Sequence, residues 1–538
     1  MPRIRPVSGL FFVIAFSALV GGLLGRSAFA IDDRVPKHYE AFTAALAEIE
    51  ASYPAAIESD RLVFGAIRGM LATLDPHSSF FDPREYAQML ERQEGRYYGL
   101  GITITSIDGD ITAQGVFEES PAYRAGVRRG DIIASIDGES AKGWTTPEAQ
   151  NKLRGPKGTG VKIEIRRHGY EQLIPLEVIR DEVQIRTVWS SFMMDETTGY
   201  VQLRDFGENT DRELGQALRD LSVKGMRRLV LDVRRNPGGP LKQAIRVANQ
   251  FLPRGSMIVY TRGRTSNSAE DHHATEDGEF TNLPLIVLTS RDSASASEIV
   301  AGALQDHDRA YIVGETTFGK ALVQSVYPIS GGAGLALTTA HYYTPSGRLI
   351  QRPWDASFDE YLSYSIRDQN VTKSHDASDL KRTDSGRPVY SGGGIEPDMH
   401  VVGPLQGFNP TPFGRTLHAR QTFENFAERF MAEGDTRIAQ ASTGRRTVAR
   451  DFVVDNAIIT DYREFLKADR IRIDEDAFER DLDFIKAMIH HRIVEAVFSI
   501  AEAQRDLIAV DPQAQVALKM FGEAEKLSAL SKTRGAAN

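Results

Sequence analysis

The sequence predicts a multidomain α/β (α+β) protein, with an α/β core, an inserted β-rich module and helical regions at both ends. Three observations predict it. Between residues 199 and 345 short apolar runs alternate with amphipathic helical segments, the order that gives a parallel sheet with helical crossovers. From Tyr98 to about Arg180 the pattern changes to short alternating runs punctuated by Asp-Gly at 108–109 and 137–138, as antiparallel hairpins require. Outside these stretches apolar residues recur at spacings of three and four, and the 538-residue length exceeds the ~250–300 at which one core stops growing.

Composition removes several function classes. Lys plus Arg is 64 and Asp plus Glu is 73, a net charge of −9, so there is no basic footprint for nucleic acid. The chain has no cysteine, which excludes disulfides, zinc–thiolate sites, iron–sulfur clusters and a thiol nucleophile together. Any covalent catalyst must use another side chain.

Residues 1–30 read as a signal peptide. Arg3 and Arg5 precede an uncharged stretch from Val7 to Gly25, and Ala28-Phe29-Ala30 offers a small-x-small cleavage site. Export follows, to the periplasm or cell envelope; left uncleaved, the same segment approaches the length of a membrane anchor. Cleavage would remove Arg3, Arg5 and Arg26 and no acid, leaving the chain three charges more negative than −9. Residues 31–94 form an N-terminal helical region, with Val63, Phe64, Ile67, Met70, Leu71 and Leu74 on one face and Asp75-Pro76 as its stop. Residues 95–180 are the β-rich module, with strands at 101–107, 132–136 and 161–167.

Residues 181–404 form the α/β core, with strands near 200–203, 228–233, 284–289 and 311–313 and helices after Asp211, Leu241 and Ser295. Within it, residues 352–390 are rich in Asp, Ser, Arg and Lys and read as an insertion that is flexible or a surface hairpin. Residues 405–538 are helical again, and the stripe Ile485, Met488, Ile489, Ile493, Val497, Ile500 has two uses: packing within the chain or against a second subunit.

Chemistry concentrates in the core. Ser293-Ala294-Ser295-Ala296-Ser297-Glu298 lies between a strand and a helix, where a serine hydroxyl sits beside backbone N–H groups and the positive end of the helix dipole. Ser295-x-x-Glu298 also fits a capping box, which would spend that hydroxyl on the helix. Downstream, Gly314-Glu315-Thr316-Thr317-Phe318-Gly319-Lys320 delivers one lysine. As a base it must be neutral, and from a reference pKa near 10.4 about 1 lysine in 2,500 is neutral at pH 7. Phe318, Ala321, Leu322 and Val323 offer the apolar setting that favours the neutral amine, and Gln324 an acceptor that adds no charge. In Asp232-Val233-Arg234-Arg235-Asn236-Pro237-Gly238-Gly239 adjacent glycines free N–H groups for an oxyanion, or form a plain turn.

These motifs, with Tyr343-Thr344-Pro345-Ser346-Gly347-Arg348, Leu74-Asp75-Pro76-His77-Ser78-Ser79 and Gly394-Ile395-Glu396-Pro397-Asp398, resemble the carboxyl-terminal processing (tail-specific) serine peptidases over roughly residues 35–400. The resemblance implies a crotonase-like protease core. It also implies that Ser295 is the nucleophile, that Lys320, twenty-five residues on, is the base, and that Gln324 orients it. Backbone N–H groups of Gly238, Gly239 and Ala296 would bind the oxyanion. The β-rich module, through Tyr98-Gly99-Leu100-Gly101-Ile102, Ser120-Pro121-Ala122 and Arg129-Gly130-Asp131, resembles a PDZ domain. Gly99, Leu100, Gly101 and Ile102 would then take a peptide's terminal carboxylate, and Arg154 is a candidate regulatory bridge to the protease core, or an exposed arginine in a turn.

The expected function is an exported serine endopeptidase cleaving proteins near their C-termini. No cofactor and no metal is expected: His272-His273 and His490-His491 lack a third ligand at metal spacing, and Ala321 replaces the hydroxyl residue of a P-loop. The expected partners are proteins or peptides with accessible C-termini, an activating adaptor, and further copies of the chain through its helical regions.

Overall fold

The computed structural model describes residues 34–117, 119–167, 170–354, 361–365, 375–403, 410–433, 448–449 and 452–535. The expected signal segment, and residues 355–360 and 366–374 of the expected insertion, lie outside them. The chain divides into two compact units at Asp82.

The first unit holds the helices Arg34–Ser52 and Ser59–Leu71 and a short strand, Ser79–Phe81. The second helix ends at Leu71, short of the expected stop at Asp75-Pro76, and Met70 and Leu74 of its expected apolar face are exposed. Asp75 Oδ1 accepts the N–H groups of His77 at 2.8 Å and Ser78 at 2.7 Å, which fixes the turn.

The second unit begins with the helix Pro83–Glu94 and then the β-rich module. A two-stranded ribbon, Arg96–Gly99 against Asp181–Gln184, closes the module's entry and exit. Beyond it five antiparallel strands run in the order 102–107, 110–116, 132–136, 160–166, 174–179 around a core of Leu100, Ile111, Ile133, Ile163 and Ile165. Strand Ile102–Ile107 is an edge of that sheet, and the helix Thr146–Leu153, started by a Thr145/Glu148 capping box, packs near it.

The α/β core is built on a six-stranded sheet in the order 188–193, 198–203, 228–232, 285–289, 311–314, 399–400. Its first pair is antiparallel and the rest are parallel. Strand residues point alternately to its two faces. Leu229, Leu231, Leu285, Val287 and Ile312 share one core cluster with residues of the helices Thr210–Val223, Leu241–Asn249 and Ala296–Asp306. Val230, Ile286, Leu288 and Val313 face the other way, onto Ile508, Ala514, Ala517, Phe521 and Ala524 of the C-terminal helices. The C-terminal region is therefore the second cover of the six-stranded sheet.

An antiparallel sheet, 322–328, 334–343, 257–263 and 270–273, stands beside it. The stripe at 485–500 is resolved in favour of packing within the chain. Ile485, Met488, Ile489 and Ile493 are buried with Phe423, Tyr462 and Phe484. In the expected insertion, strands Leu380–Arg382 and Pro388–Tyr390 form a hairpin.

Candidate active site

Three loops leave the carboxyl ends of three adjacent parallel strands, which is why they meet. Residues 233–239 follow Arg228–Asp232, residues 290–295 follow Leu285–Thr289, and residues 315–321 follow Tyr311–Gly314. Crevices at such strand ends are where open α/β sheets bind ligands.

Ser295 sits on a sharp turn, at φ 54° and ψ −112°. A β-carbon rarely adopts that conformation, and such strain gathers at functional positions. From Ser293 to Asp306 every residue is buried except Ser295, which is half-exposed. The expected capping box is present in arrangement, with Ser295 and Glu298 facing each other across the first turn. Glu298 Oε2 accepts the Ser295 N–H at 2.8 Å, but the Ser295 hydroxyl receives no helix N–H. That hydroxyl has no hydrogen-bond partner among the described residues, so it is uncommitted.

Lys320 is half-buried, and its Nζ donates to Gln324 Oε1 at 3.2 Å. Glu298 ties the lysine loop to the serine turn. Its Oε1 accepts from Thr317 Oγ1 at 2.6 Å and Gly319 N at 2.7 Å, and its Oε2 accepts from Lys320 N at 2.9 Å. Burial pushes this carboxyl up to about 7 against the pull of those donors. Tyr342, from the antiparallel sheet, donates its hydroxyl to Ser295 O at 3.1 Å and Lys320 O at 2.7 Å. Phe318 is covered by Tyr361 and Tyr364, with ring centres 5.1 and 6.2 Å away. The sequence reading did not identify Glu298, Tyr342, Tyr361 or Tyr364 as parts of this site.

The glycine loop closes on the serine. A Cβ on Gly238 would lie 2.8 Å from Ser295 Cβ and from Ala296 N. The Gly238 N–H donates to Asn236 Oδ1 at 2.9 Å. Of the three N–H groups expected to face an oxyanion, that leaves Gly239 and Ala296 uncommitted among the described residues.

The sequence model of peptidase family S41 matches residues 197–354, and that of the PDZ domain matches residues 115–167. A carboxy-terminal-processing protease of Bartonella bacilliformis is 40% identical over 307 residues, covering 56% of this chain and 70% of that protein. The chain belongs to the carboxy-terminal processing protease family. A carboxy-terminal processing protease of Bacillus subtilis is 33% identical over 355 residues, with 64% and 75% covered, and a carboxyl-terminal-processing protease of Synechocystis sp. is 38% identical over 296, with 54% and 68%. This protein is thus a serine peptidase carrying a PDZ domain.

In the protease's PDZ domain, Leu100 is buried, Gly101 has φ +80° and a Cβ there would meet Ser120 Cβ at 2.2 Å. Ile102 opens the edge strand. Arg154 follows the helix Thr146–Leu153 and is not a free turn arginine: its Nη1 lies 2.5 Å from Glu91 Oε2, and its guanidinium carbon lies 4.9 Å from the centre of the Tyr97 ring. Burial pushes the Tyr97 phenol up to about 12, while Arg154 beside it pulls it down.

A cavity of about 2740 Å³ lies between the PDZ domain, the core and the C-terminal helices. Gly115, Val116 and Arg128 line it on one side, Arg235, Pro237 and Ser290 on another, and His418 and Gln504 on a third. No group of three metal-ligating side chains occurs among the described residues.

Proposed function

We propose that the protease is an exported endopeptidase that cleaves protein substrates near their C-termini by a Ser295–Lys320–Gln324 arrangement. The observation that carries this reading is the convergence of an uncommitted, half-exposed Ser295 with the Lys320 loop through one buried carboxylate, Glu298. Neutral Lys320 takes the Ser295 proton as Oγ bonds to the scissile carbonyl carbon, then returns it to the leaving amine as the C–N bond breaks. Water hydrolyses the acyl-enzyme by the same proton route. Gln324 holds the amine without adding charge, and the Gly239 and Ala296 N–H groups face the developing oxyanion while Gly238 shapes the loop.

Substrate tails bind the PDZ domain. Their carboxylate meets the loop from Gly99 to Ile102, and their backbone adds to the edge strand Ile102–Ile107. Leu100 and Leu153 beside that loop favour an apolar last residue. The large cavity is the approach by which an unfolded segment, presented directly or by an adaptor, reaches the cleft.

Arg154 couples tail binding to cleavage. It holds Glu91 on the helix Pro83–Glu94; two residues on, Gln93 O accepts the Glu208 N–H at 3.0 Å, and Phe206 N donates to Gly238 O at 3.1 Å. That is a continuous route from the carboxylate loop to the oxyanion loop. Export rests on residues 1–30, and N-terminal sequencing of the mature chain should begin at Ile31. Copies of the chain associate through the helix Arg34–Ser52.

The deciding experiment compares wild type, Ser295→Ala and Lys320→Ala, purified and folded, on an unstructured protein with a defined tail. Both variants should bind tail peptide normally and release no C-terminal fragment. Substantial turnover by either would falsify the assignment.

A further inference from the structure

The C-terminal helices and the oxyanion loop meet at one buried guanidinium. Arg234 stands two residues past the strand Arg228–Asp232, on the way to Gly239, and is 7% exposed. One edge of its fork grips Asp232: Nε reaches both carboxylate oxygens at 3.0 Å and Nη2 reaches Oδ2 at 2.7 Å. At the other edge, Nη1 donates to Gln513 Oε1 at 2.7 Å. Asp511 Oδ2 faces the same Nη1 at 2.6 Å, as a close ion contact outside hydrogen-bond alignment.

Both C-terminal partners are fixed in their turn. Asp511 Oδ1 caps the helix Pro512–Lys519, accepting from Gln513 N at 2.8 Å and Ala514 N at 3.3 Å. Gln513 Nε2 donates to Val401 O at 2.7 Å. A planar fork held at both edges has little freedom to rotate, so it also fixes the backbone that carries it.

From Arg234 the chain has no slack before the oxyanion. Asn236 O accepts Ala294 N at 3.0 Å and Ser297 Oγ at 3.0 Å, so the loop is laced to the serine turn. A displacement of Arg234 would pass through Asn236 and Gly238 to Gly239 and Ser295.

We propose that Asp511 and Gln513 are positioning residues for the oxyanion loop, acting through Arg234, so that the C-terminal helices complete the catalytic apparatus as well as covering the sheet. The proposal rests on the assignment of the oxyanion site to Gly239 and Ala296.

The test uses the full chain. Asp511→Asn keeps the Oδ1 acceptor of the helix cap and replaces the charged oxygen facing Nη1 by an NH₂ donor, so that contact is lost. Gln513→Met keeps the volume and removes the acceptor. Because one oxyanion donor is worth about 10²- to 10³-fold in kcat, its partial misplacement should lower kcat about 10- to 100-fold in each variant, with KM and tail-peptide affinity unchanged. Labelling of Ser295 by a fluorophosphonate, whose adduct places an oxygen in the same hole, should slow in proportion.

In an Arg234→Met background either change should add less than about twofold, since the route runs through that residue. Unchanged kcat in the two variants, losses confined to KM, or full additivity on Arg234→Met would each overturn the proposal. Should Gln513→Met fail to fold, Asp511→Asn alone decides. Gly239→Ala separates the two layers, because its Cβ would meet Phe206 O at 2.2 Å and must shift the loop. If Gly239→Ala is labelled at the wild-type rate, the oxyanion assignment itself fails; if it is labelled slowly while both tail variants react normally, only the positioning role fails.

Discussion

Glu298 sets how the side chains of the proposed pair, Ser295 and Lys320, are held. Both backbone ends that carry them, Ser295 N and Lys320 N, donate to its Oε2, and Thr317 and Gly319 donate to its Oε1. Three backbone N–H donors and the Thr317 hydroxyl suit a carboxylate. A proton fits only on Oε1, given to the Thr317 hydroxyl, which then no longer donates to Glu298. Burial pushes this carboxyl from an ordinary value of 4.5 up to about 7, so the folded state favours the proton. For stability the sign is therefore unfavourable to ionisation: the group costs nothing below the unfolded value near 4.5, and the penalty grows to a few kcal/mol between there and about 7 and stays level above it. For activity the sign is opposite, because only the ionised form accepts all four tethers. We expect kcat to fall as pH drops through about 7. Glu298→Gln, whose NH₂ group must oppose at least one backbone N–H, should lose about 10- to 100-fold in kcat and lose that limb as well. A pH profile of kcat decides it: an acid limb that persists unchanged in Glu298→Gln belongs to Lys320 and sinks the claim. Ser295 and Lys320 were singled out through the family resemblance, since residue type and position alone left Ser295 between a nucleophile and a helix cap. Glu298 was legible only as a helix cap, since nothing local shows that residues 317–320 return to the same carboxylate.

Elements were legible where their signals are local. Alternating apolar runs and helical stripes located the parallel strands at 198–203, 228–232, 285–289 and 311–314, and with them the three loops that build the cleft. The antiparallel sheet was not legible. Its strand Gly334–Tyr343 pairs with Met257–Gly263 across some eighty residues, and strand periodicity carries no record of the partner. The same limit hid the role of the helix Pro83–Glu94, which reads as one more amphipathic segment yet holds Arg154 through Glu91. Both side chains of that pair are about one-third exposed, so solvent screening limits their coupling to about 1 kcal/mol, or roughly fivefold in rate. If the pair carries the gate, Arg154→Ala and Glu91→Ala should each lower tail-dependent cleavage by up to that factor while tail-peptide affinity holds, and the double variant should be no worse than either single one. Cleavage equal to wild type in Arg154→Ala, or losses seen in binding alone, would remove the gate.

At the scale of the whole molecule, the proposed association of copies requires an apolar surface that the fold leaves uncovered. The C-terminal stripe is not available, because Ile485, Met488, Ile489 and Ile493 are spent inside the second unit. The helix Arg34–Ser52 and the residue after it are different. Tyr39, Phe42, Leu46, Ile49 and Tyr53 fall at spacings of three, four, three and four, the seam of a two-helix coiled coil, and four of the five are exposed, Tyr39 by 69%. Two copies of that seam present ten apolar side chains. At about 1.5–3 kcal/mol for each one fully buried, complete burial of the seam contributes at most ~15–30 kcal/mol, against the ~4–15 kcal/mol that association costs. A net charge of −9 opposes self-association, so the apolar seam has to supply the attraction and salt should strengthen the assembly by screening the repulsion. Light scattering on the purified chain should give a multiple of 59.5 kDa, less any signal segment removed. Phe42→Glu with Ile49→Glu places charges on the seam of an already exposed helix, so the fold should survive and the mass should fall to that of one chain. A wild-type mass of one chain, or an unchanged multiple in the double variant, would exclude this helix as the interface.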